Sequence, residues 1–202
     1  MNKEYIINSL NKMIPNPVIE LDFNTDYEML LAVMLSANST DKRVNIVTKD
    51  LFKYNLEEIS KLSLEKLEDI IRSVGSYKKK ASYTKDIAIN LVKDYGGKVP
   101  NNREYLENLP GVGRKTASVV LSHLYDVPTI AVDTHVKRVS NILFITNSNN
   151  VLKIEKDIMN YFPKEQWNKI NSQLVLFGRY TCKARAPECD KCLFNGKCRI
   201  TK

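Results

Sequence analysis

The sequence predicts an all-α protein. Apolar residues recur every three or four positions along most of the 202-residue chain, polar cap residues and glycines bracket these stretches, and no sustained strand alternation is visible. The composition, 43% hydrophobic and 27% charged, is ordinary for a folded protein. Because the apolar runs are shorter than a membrane span and no targeting peptide is visible, we expect a cytoplasmic protein with no membrane contact.

Eight or nine helices joined by short links explain this pattern. An amphipathic helix extends towards Pro17, and Thr25 and Glu28 predict a capping box before the next one, which ends around Asn38. Further helices are predicted from about Asp41 through Leu51, from Ser63 to Gly75, from about Lys79 to Gly96, from Asn102 through Leu106, from Arg114 to Leu124, and over residues 134–143, 151–162 and 164–177. The last three start at Asp133, at Asn149 or Asn150, and at Pro163.

The net charge of +8 is unevenly distributed. Residues 128–202 carry 13 basic and 6 acidic side chains, against 18 and 17 in residues 1–127. On charge alone, a phosphate-facing surface and a solvated tail are equally good interpretations. The change near Pro128 is the best candidate for a domain boundary.

The segment Leu109–Gly113 predicts a tight turn between two helices. Pro110 ends the first helix, Gly111 and Gly113 permit positive φ and close approach, and Val112 can enter the core. Backbone N–H groups at such a turn, before a helix N-terminus, favour an anion such as a DNA phosphate. A hairpin without a ligand is the alternative, and Arg114 with Lys115 directly after the turn favours phosphate.

All four cysteines lie within 17 residues, at Cys182, Cys189, Cys192 and Cys198. Two disulfides in so short a stretch would not stabilise the rest of the chain, so a metal site is favoured. The spacing contains a single Cys-x2-Cys pair, which suits a cubane iron–sulfur cluster better than a zinc ribbon, although four-cysteine zinc remains an alternative.

Three motifs in this order and spacing resemble the endonuclease III family, DNA glycosylase/AP lyases of the helix-hairpin-helix superfamily. They are Leu109–Ala117, Val132–Val136 with Asp133 eighteen residues after Lys115, and the cysteine tail. The similarity extends over almost the whole chain, through Leu35–Ala37 and Phe177–Cys182.

The resemblance implies a six-helix barrel domain over residues 20–127 and an iron–sulfur domain from residues 1–19 and 128–202. The four cysteines would hold a [4Fe-4S] cluster as structural support. A monomer would bind double-stranded DNA containing damaged bases or abasic sites in the cleft between the domains. Leu109, Gly111, Val112, Gly113 and Arg114 would contact DNA through the hairpin.

By resemblance, Lys115 attacks C1′ of an oxidised pyrimidine nucleotide, forms a Schiff base and cleaves the strand 3′ to the site by β-elimination. A lysine beside Arg114 at a helix N-terminus should lose its proton more easily than an exposed one, as a nucleophilic amine requires. Asp133 has two compatible interpretations, as the N-cap of its helix and as a carboxylate that accepts a proton or stabilises developing positive charge. His135 is interpreted as structural.

The chain departs from its family at the residues that would fill the duplex when a nucleotide is flipped out. Asn38 stands where members commonly carry Gln, and Ser76 stands where they often carry a bulky aliphatic residue before Tyr77. These three residues are predicted DNA contacts, and the lesion range depends on them. Lys78–Lys80 is either a phosphate contact or a solvated charge run.

Basic side chains interleave with the cysteines, and Lys183 is a predicted DNA contact. Part of this charge would offset a cluster that carries a net −2 with its four thiolates.

Two alternatives stay open. An adenine or mismatch glycosylase of the same superfamily would usually lack Lys115 and have an additional C-terminal domain, whereas this chain ends four residues after Cys198. A non-enzymatic iron–sulfur DNA-binding module would need neither Lys115 nor Asp133.

Overall fold

The computed structural model describes residues 1–201 and confirms the all-α prediction, because that part of the chain contains helices and no strand. Eleven α-helices follow one another along residues 1–201. They are α1 (Lys3–Met13), α2 (Asp26–Leu35), α3 (Asp41–Leu51), α4 (Leu56–Lys61), α5 (Leu64–Ile71), α6 (Tyr77–Tyr95), α7 (Arg103–Asn108), α8 (Arg114–Tyr125), α9 (Thr134–Ile142), α10 (Val151–Tyr161) and α11 (Trp167–Tyr180). Two 3-10 turns, Lys164–Gln166 and Cys189–Lys191, complete the regular structure of the described residues.

The chain divides into two compact units. The continuous unit comprises Glu20–Tyr125, and the two-segment unit comprises Met1–Ile19 together with the chain from Asp126 onward. These boundaries are close to those that the sequence suggested, 19/20 and 127/128, whereas the functional assignment of each part remains a prediction.

In the continuous unit, α6 is the longest helix and packs against α2, α4 and α5, while α8 packs against α2 and α7. Every residue of α2 from Glu28 to Leu35 is buried, so this helix forms the centre of the core. Burial of such a continuous run of large apolar side chains is the main stabilising contribution.

In the two-segment unit, α9 and α1 both pack against α11, and α10 packs against α9. We call residues 182–198, which contain the four cysteines, the cysteine region. Phe177 of α11 and Phe194 of the cysteine region are fully buried in the two-segment unit, with ring centroids 5.4 Å apart in an edge-to-face arrangement. Ile6 and Leu10 of α1 join the same core, so the N-terminal segment completes a unit whose other residues come from the C-terminal part of the chain.

Most helix starts agree with the sequence analysis, because side chains at Thr40, Ser63, Asn102, Asp133 and Asn150 accept a backbone N–H from the first turn. The capping box predicted at Thr25 is wrong in one half. Thr25 does accept the Glu28 N–H, but the Glu28 carboxylate accepts the N–H of Asn24 instead of that of Thr25.

Helix α4, where Asn55 and Glu58 form a complete capping box, was not predicted from the sequence. Helix α5 is shorter than predicted, because it ends at Ile71 and the residues up to Gly75 form turns. No helix in the described part of the chain has the length and apolar content to cross a membrane.

Candidate functional site

The turn between α7 and α8 is held by its own backbone. Leu109 is the C-cap of α7, and its carbonyl accepts the N–H of Val112 at 3.1 Å. Val112 is buried, with 2% of its surface exposed, so the predicted insertion of this side chain into the core is observed. The turn is therefore fixed by this hydrogen bond and by the burial of Val112.

Glycine is required at one of the two turn positions. Gly111 has φ +76°, and a Cβ there would lie 2.5 Å from Cδ2 of Tyr83 on α6. A Cβ at Gly113 would meet no atom within 4 Å. Close packing against Tyr83 thus fixes the turn at Gly111, while the space beside Gly113 is open.

Lys115 lies in the first turn of α8 and is exposed, directly after exposed Arg114. The helix is aligned with α7 through Arg103, whose Nη1 donates to Glu107 Oε1 at 3.0 Å and to Ser118 Oγ at 3.2 Å. The amine is therefore carried on a fixed helix at the end whose dipole attracts anions.

Two exposed loops of the continuous unit carry Asn38 and Ser76. We call Ser36–Thr40 the first loop and Arg72–Ser76 the second loop. Both named residues are exposed and have left-handed backbones, with φ of 55° for Asn38 and 59° for Ser76. The Gly75 N–H donates to Ser39 Oγ at 3.1 Å, which joins the two loops directly, and half-buried Tyr77 begins α6 after the second loop.

Neither interpretation of Lys80, phosphate contact or solvated charge, is correct. Its side chain is buried, with 6% of the residue exposed, and Nζ donates to the carbonyl oxygens of Leu35 at 2.8 Å and Ala37 at 2.6 Å. Burial lowers the pKa of this lysine. The sequence does carry a signal for this position, because Lys80 continues the buried stripe of Thr84, Ile87 and Leu91 on α6.

Asp133 belongs to the two-segment unit, whereas Lys115 belongs to the continuous unit. The Asp133 Oδ1 accepts the N–H of Val136 at 2.8 Å, which confirms the N-cap interpretation. The segment before it is fixed by α11, where Asn168 accepts the Thr129 N–H and Asn171 accepts the Ala131 N–H, both at 3.0 Å. The half-buried carboxylate is therefore well positioned at the start of α9.

Arg138 is a structural residue that the sequence analysis missed. Its Nη2 donates to the carbonyl oxygens of Gly178 at 2.7 Å and Cys182 at 2.9 Å. Gly178 allows α9 to approach, because a Cβ there would lie 2.9 Å from Cβ of His135. The glycine within the helical sequence was the available signal for this close approach.

The four cysteines surround one pocket of about 300 Å³, a volume that includes the solvent at its mouth. All four are free thiols; Cys182 and Cys198 are buried, and Cys189 and Cys192 are half-buried. Burial raises the pKa of Cys182 to about 11, against the opposing effect of Arg138. Phe177, Phe194 and other apolar side chains form much of the remaining wall.

The arrangement of the four cysteines distinguishes between two kinds of metal centre. Among residues 1–201, no three His, Cys, Asp or Glu side chains converge closely enough to hold one metal ion. Four soft sulfur donors around a shared pocket instead fit a larger, polynuclear group with thiolate ligands.

Lys183 is paired within the cysteine region. Its Nζ lies 2.6 Å from Glu188 Oε1, and Lys191 approaches the other oxygen of the same carboxylate at 3.4 Å. Hydrogen bonds from these two lysines lower the pKa of Glu188. The acidic side chain thus offsets part of the positive charge at the predicted DNA contact.

Comparison with known proteins places the chain in a family. A model of the HhH-GPD superfamily of base excision DNA repair proteins matches residues 31–164. Endonuclease III of Bacillus subtilis (strain 168) is 44% identical over 199 residues, which cover 97% of this chain and 91% of the relative. Endonuclease III of Rickettsia prowazekii (strain Madrid E) is 42% identical over 200 residues, covering 98% and 93%.

Two solved structures to which this chain is similar are also of endonuclease III. A non-covalent endonuclease III–DNA complex has a TM-score of 0.93 and 43% identity, covering 98% of this chain and 96% of that one. A trapped endonuclease III–DNA covalent intermediate has a TM-score of 0.91 at the same identity and coverage. This chain belongs to the HhH-GPD superfamily of base excision DNA repair proteins and, within it, to the endonuclease III family. The family resemblance and the helix-hairpin-helix fold predicted from the sequence are confirmed.

Proposed function

We propose that this chain is a bifunctional base-excision repair enzyme, a DNA glycosylase for oxidised pyrimidines that also acts as an AP lyase. The observation that carries the proposal is the exposed amine of Lys115, in the first turn of α8, directly after a turn fixed by Gly111 against Tyr83. Membership of the endonuclease III family supports the same reaction.

The hairpin supplies the phosphate contacts in this proposal. Leu109 and Val112 shape the turn, since their N–H groups donate to the carbonyls of Leu106 and Leu109, both at 3.1 Å. The N–H groups of Gly111 and Gly113 and the guanidinium of Arg114 would then contact the phosphates at the N-terminus of α8. These groups bind DNA independently of base sequence, because phosphate contacts position a duplex without reading it. Damaged or abasic double-stranded DNA is therefore the proposed partner.

The glycosylase step uses Lys115 as nucleophile. Its neutral Nζ forms a bond to C1′ while the bond between C1′ and the base breaks, and the electron pair leaves with the base, which takes up a proton. The C1′–O4′ bond then breaks, O4′ takes the electron pair and a proton, and a protonated imine forms between Nζ and C1′.

The lyase step follows from that imine. Loss of a proton from C2′ allows the electron pair to expel the 3′ phosphate, so the C3′–O bond breaks and the strand is cleaved on the 3′ side. Water then hydrolyses the imine and releases the amine of Lys115.

Asp133 assists the first step in this proposal. Its N-cap hydrogen bond from the Val136 N–H orients the carboxylate. A carboxylate held in this way can accept the proton from Lys115 or stabilise positive charge that develops on the sugar.

Access to C1′ requires the nucleotide to leave the duplex. We assign Asn38, Ser76 and Tyr77 to the surface that contacts the duplex where the nucleotide has left it. The exposure of Asn38 and Ser76 on two joined loops supports this assignment.

Cys182, Cys189, Cys192 and Cys198 would hold a [4Fe-4S] cluster in the two-segment unit. When bound, the cluster would cross-link the cysteine region to the core around Phe177 and contribute folding free energy. Lys183 would contact the DNA backbone beside it, with Glu188 orienting its ammonium.

The test is borohydride trapping on a duplex with one abasic site. Borohydride reduces the imine, so the wild-type protein should become covalently attached to DNA while Lys115→Ala should not. Lys49→Ala, which removes an exposed lysine of α3, is the matched control and should trap like the wild type. Trapping that survives in Lys115→Ala, or is absent in the wild type, would reject the proposal.

A further inference from the structure

Lys80 is a buried charged residue that the proposed reaction does not use. It lies on the first turns of α6, with its ammonium directed at the C-terminus of α2. Leu35 is the last residue of that helix, so its carbonyl is one of the groups that lack a partner within the helix. A cation at this position also compensates the negative end of the helix dipole.

The same ammonium holds the first loop beyond α2. Nζ donates to the Ala37 carbonyl at 2.6 Å and lies 3.4 Å from Ser39 Oγ. These two residues flank Asn38, whose backbone has φ of 55°. A lysine ammonium has three donors, and here they are directed at the end of α2 and both neighbours of Asn38.

Lys80 also belongs to the structure that fixes the second loop. Its backbone N–H donates to the Ser76 carbonyl at 3.1 Å, which begins α6. Ser39 Oγ accepts the N–H of Gly75, and a Cβ at Gly75 would lie 3.1 Å from the Asn38 carbonyl oxygen. The backbones of the two loops are thus packed closely against each other, and the hydroxyl of Ser39 connects them.

We propose that Lys80 is a positioning residue that fixes Asn38 and Ser76 relative to each other, so that both reach the duplex when a base is flipped out. This inference rests on the proposed function. Short side chains make the requirement stricter, since neither Asn nor Ser can compensate for a displaced backbone by extending further. Displacements of about 1 Å at a site can reduce a rate by up to ~10²-fold.

The role predicts a loss that depends on the substrate. A stacked base must be removed from the duplex before excision, whereas a preformed abasic site has no base to unstack. Lys80→Met keeps most of the side-chain length but removes all three donors. It should reduce single-turnover excision of an oxidised pyrimidine by roughly 10-fold or more, with a much smaller effect on cleavage at an abasic site.

Lys85→Met is the matched control on the same helix. Lys85 donates to the Leu62 carbonyl at 2.7 Å, at the end of α4, and makes the same kind of contact to a helix terminus away from both loops. This variant should show the wild-type ratio of the two rates. A general loss of stability in either variant would lower both rates together.

Ser39→Ala provides a second and milder variant, because it removes the hydroxyl that joins the loops while leaving Lys80 in place. It should change the rate ratio in the same direction by a smaller factor, and combining it with Lys80→Met should give less than the product of the separate effects. If Lys80→Met fails to fold, the ratio measured for Ser39→Ala decides the question.

The outcomes separate this inference from the function on which it rests. A wild-type protein that neither excises the base nor cleaves the abasic site would overturn both. A wild type active on both substrates, with Lys80→Met or Ser39→Ala losing equal factors on each or nothing on either, would overturn the positioning role alone.

Discussion

The hairpin turn and the cysteine region hold their functional groups in different ways. Leu109–Gly113 is fixed by a backbone hydrogen bond, a buried Val112 and the contact of Gly111 with Tyr83. The cysteine region has little regular structure beyond the 3-10 turn at Cys189–Lys191, and its four thiols surround a pocket.

The hairpin obtains its geometry from close packing within the protein. We therefore expect its stability to fall strongly only when a substitution adds atoms at a packed position. The cysteine region depends on four side chains that share one ligand, so we expect the loss of any of them to affect the whole region.

The largest effect is expected from Cys192→Ser, which replaces a thiolate ligand with a hydroxyl. The as-purified wild type should be yellow-brown and contain iron as its dominant metal. The variant should lose iron. Its soluble yield should fall, or its Tm should fall by about 10 °C or more, which corresponds to a loss of several kcal/mol in the free energy of unfolding. Iron content and thermal unfolding measure these effects.

Ala184→Ser is the control within the same region, since Ala184 is exposed and is not a cysteine. It should keep both iron and Tm. Stoichiometric zinc in a colourless protein prepared without oxygen would contradict the cluster assignment.

The hairpin should respond in the opposite manner, strongly at one glycine and weakly at the other. Gly111→Ala adds a Cβ to a left-handed residue and into the Tyr83 ring, so we expect a loss of ~2–4 kcal/mol in the free energy of unfolding. Gly113→Ala enters open space and should cost less than ~1 kcal/mol. Denaturant titration of both variants measures the difference, and equal losses would show that the Tyr83 contact does not determine the turn.

Substitution of Asp133 can separate its proposed catalytic role from its structural role as the N-cap of α9. It caps the start of α9, while Arg138, further along that helix, binds the Cys182 carbonyl. Asn is as good an N-cap as Asp, so Asp133→Asn should retain stability but slow base release by ~10²-fold or more. Unfolding and single-turnover excision measure the two properties.

Asn150→Asp exchanges the same two residue types at the N-cap of α10 and should preserve both rate and stability. An Asp133→Asn enzyme with wild-type turnover would leave the aspartate with a capping role only.

The sequence was most informative where one local rule determines the structure. Glycine at a left-handed turn, a side chain that caps its own helix, and four clustered cysteines can each be recognised from neighbours in the chain. The hairpin, the Asp133 cap and the cysteine pocket were therefore predictable, as were most helix starts. The contact of Gly111 with Tyr83 on α6 was not predictable in this way.

The errors occur where a distant segment decides the outcome. Lys80 follows Lys78 and Lys79, so it resembles a solvated run, yet it is buried because the end of α2 offers carbonyl partners 43 and 45 residues away. Arg138 likewise binds Gly178, 40 residues away. Helix α4 is too short to display a clear period, as α7 is, and its only local signal was the capping box of Asn55 and Glu58.

The smallest expected effect comes from restoring bulk on the two exposed loops. Asn38→Gln and Ser76→Leu together should raise excision of an oxidised pyrimidine by roughly 5–30-fold, the equivalent of ~1–2 kcal/mol of gap-filling contacts. Cleavage at a preformed abasic site should change much less. Single-turnover rates on both substrates measure the gain for the parent and the double variant.

The backbone of these loops opposes part of that gain. Both residues are left-handed, a conformation that Asn tolerates and that costs a bulky residue about 1–2 kcal/mol. This cost lowers the free energy of unfolding and is the same with either substrate, so the ratio between substrates still isolates gap filling. Equal gains on both substrates, or none on either, would mean that Tyr77 already fills the duplex and that Asn38 and Ser76 do not limit the lesion range.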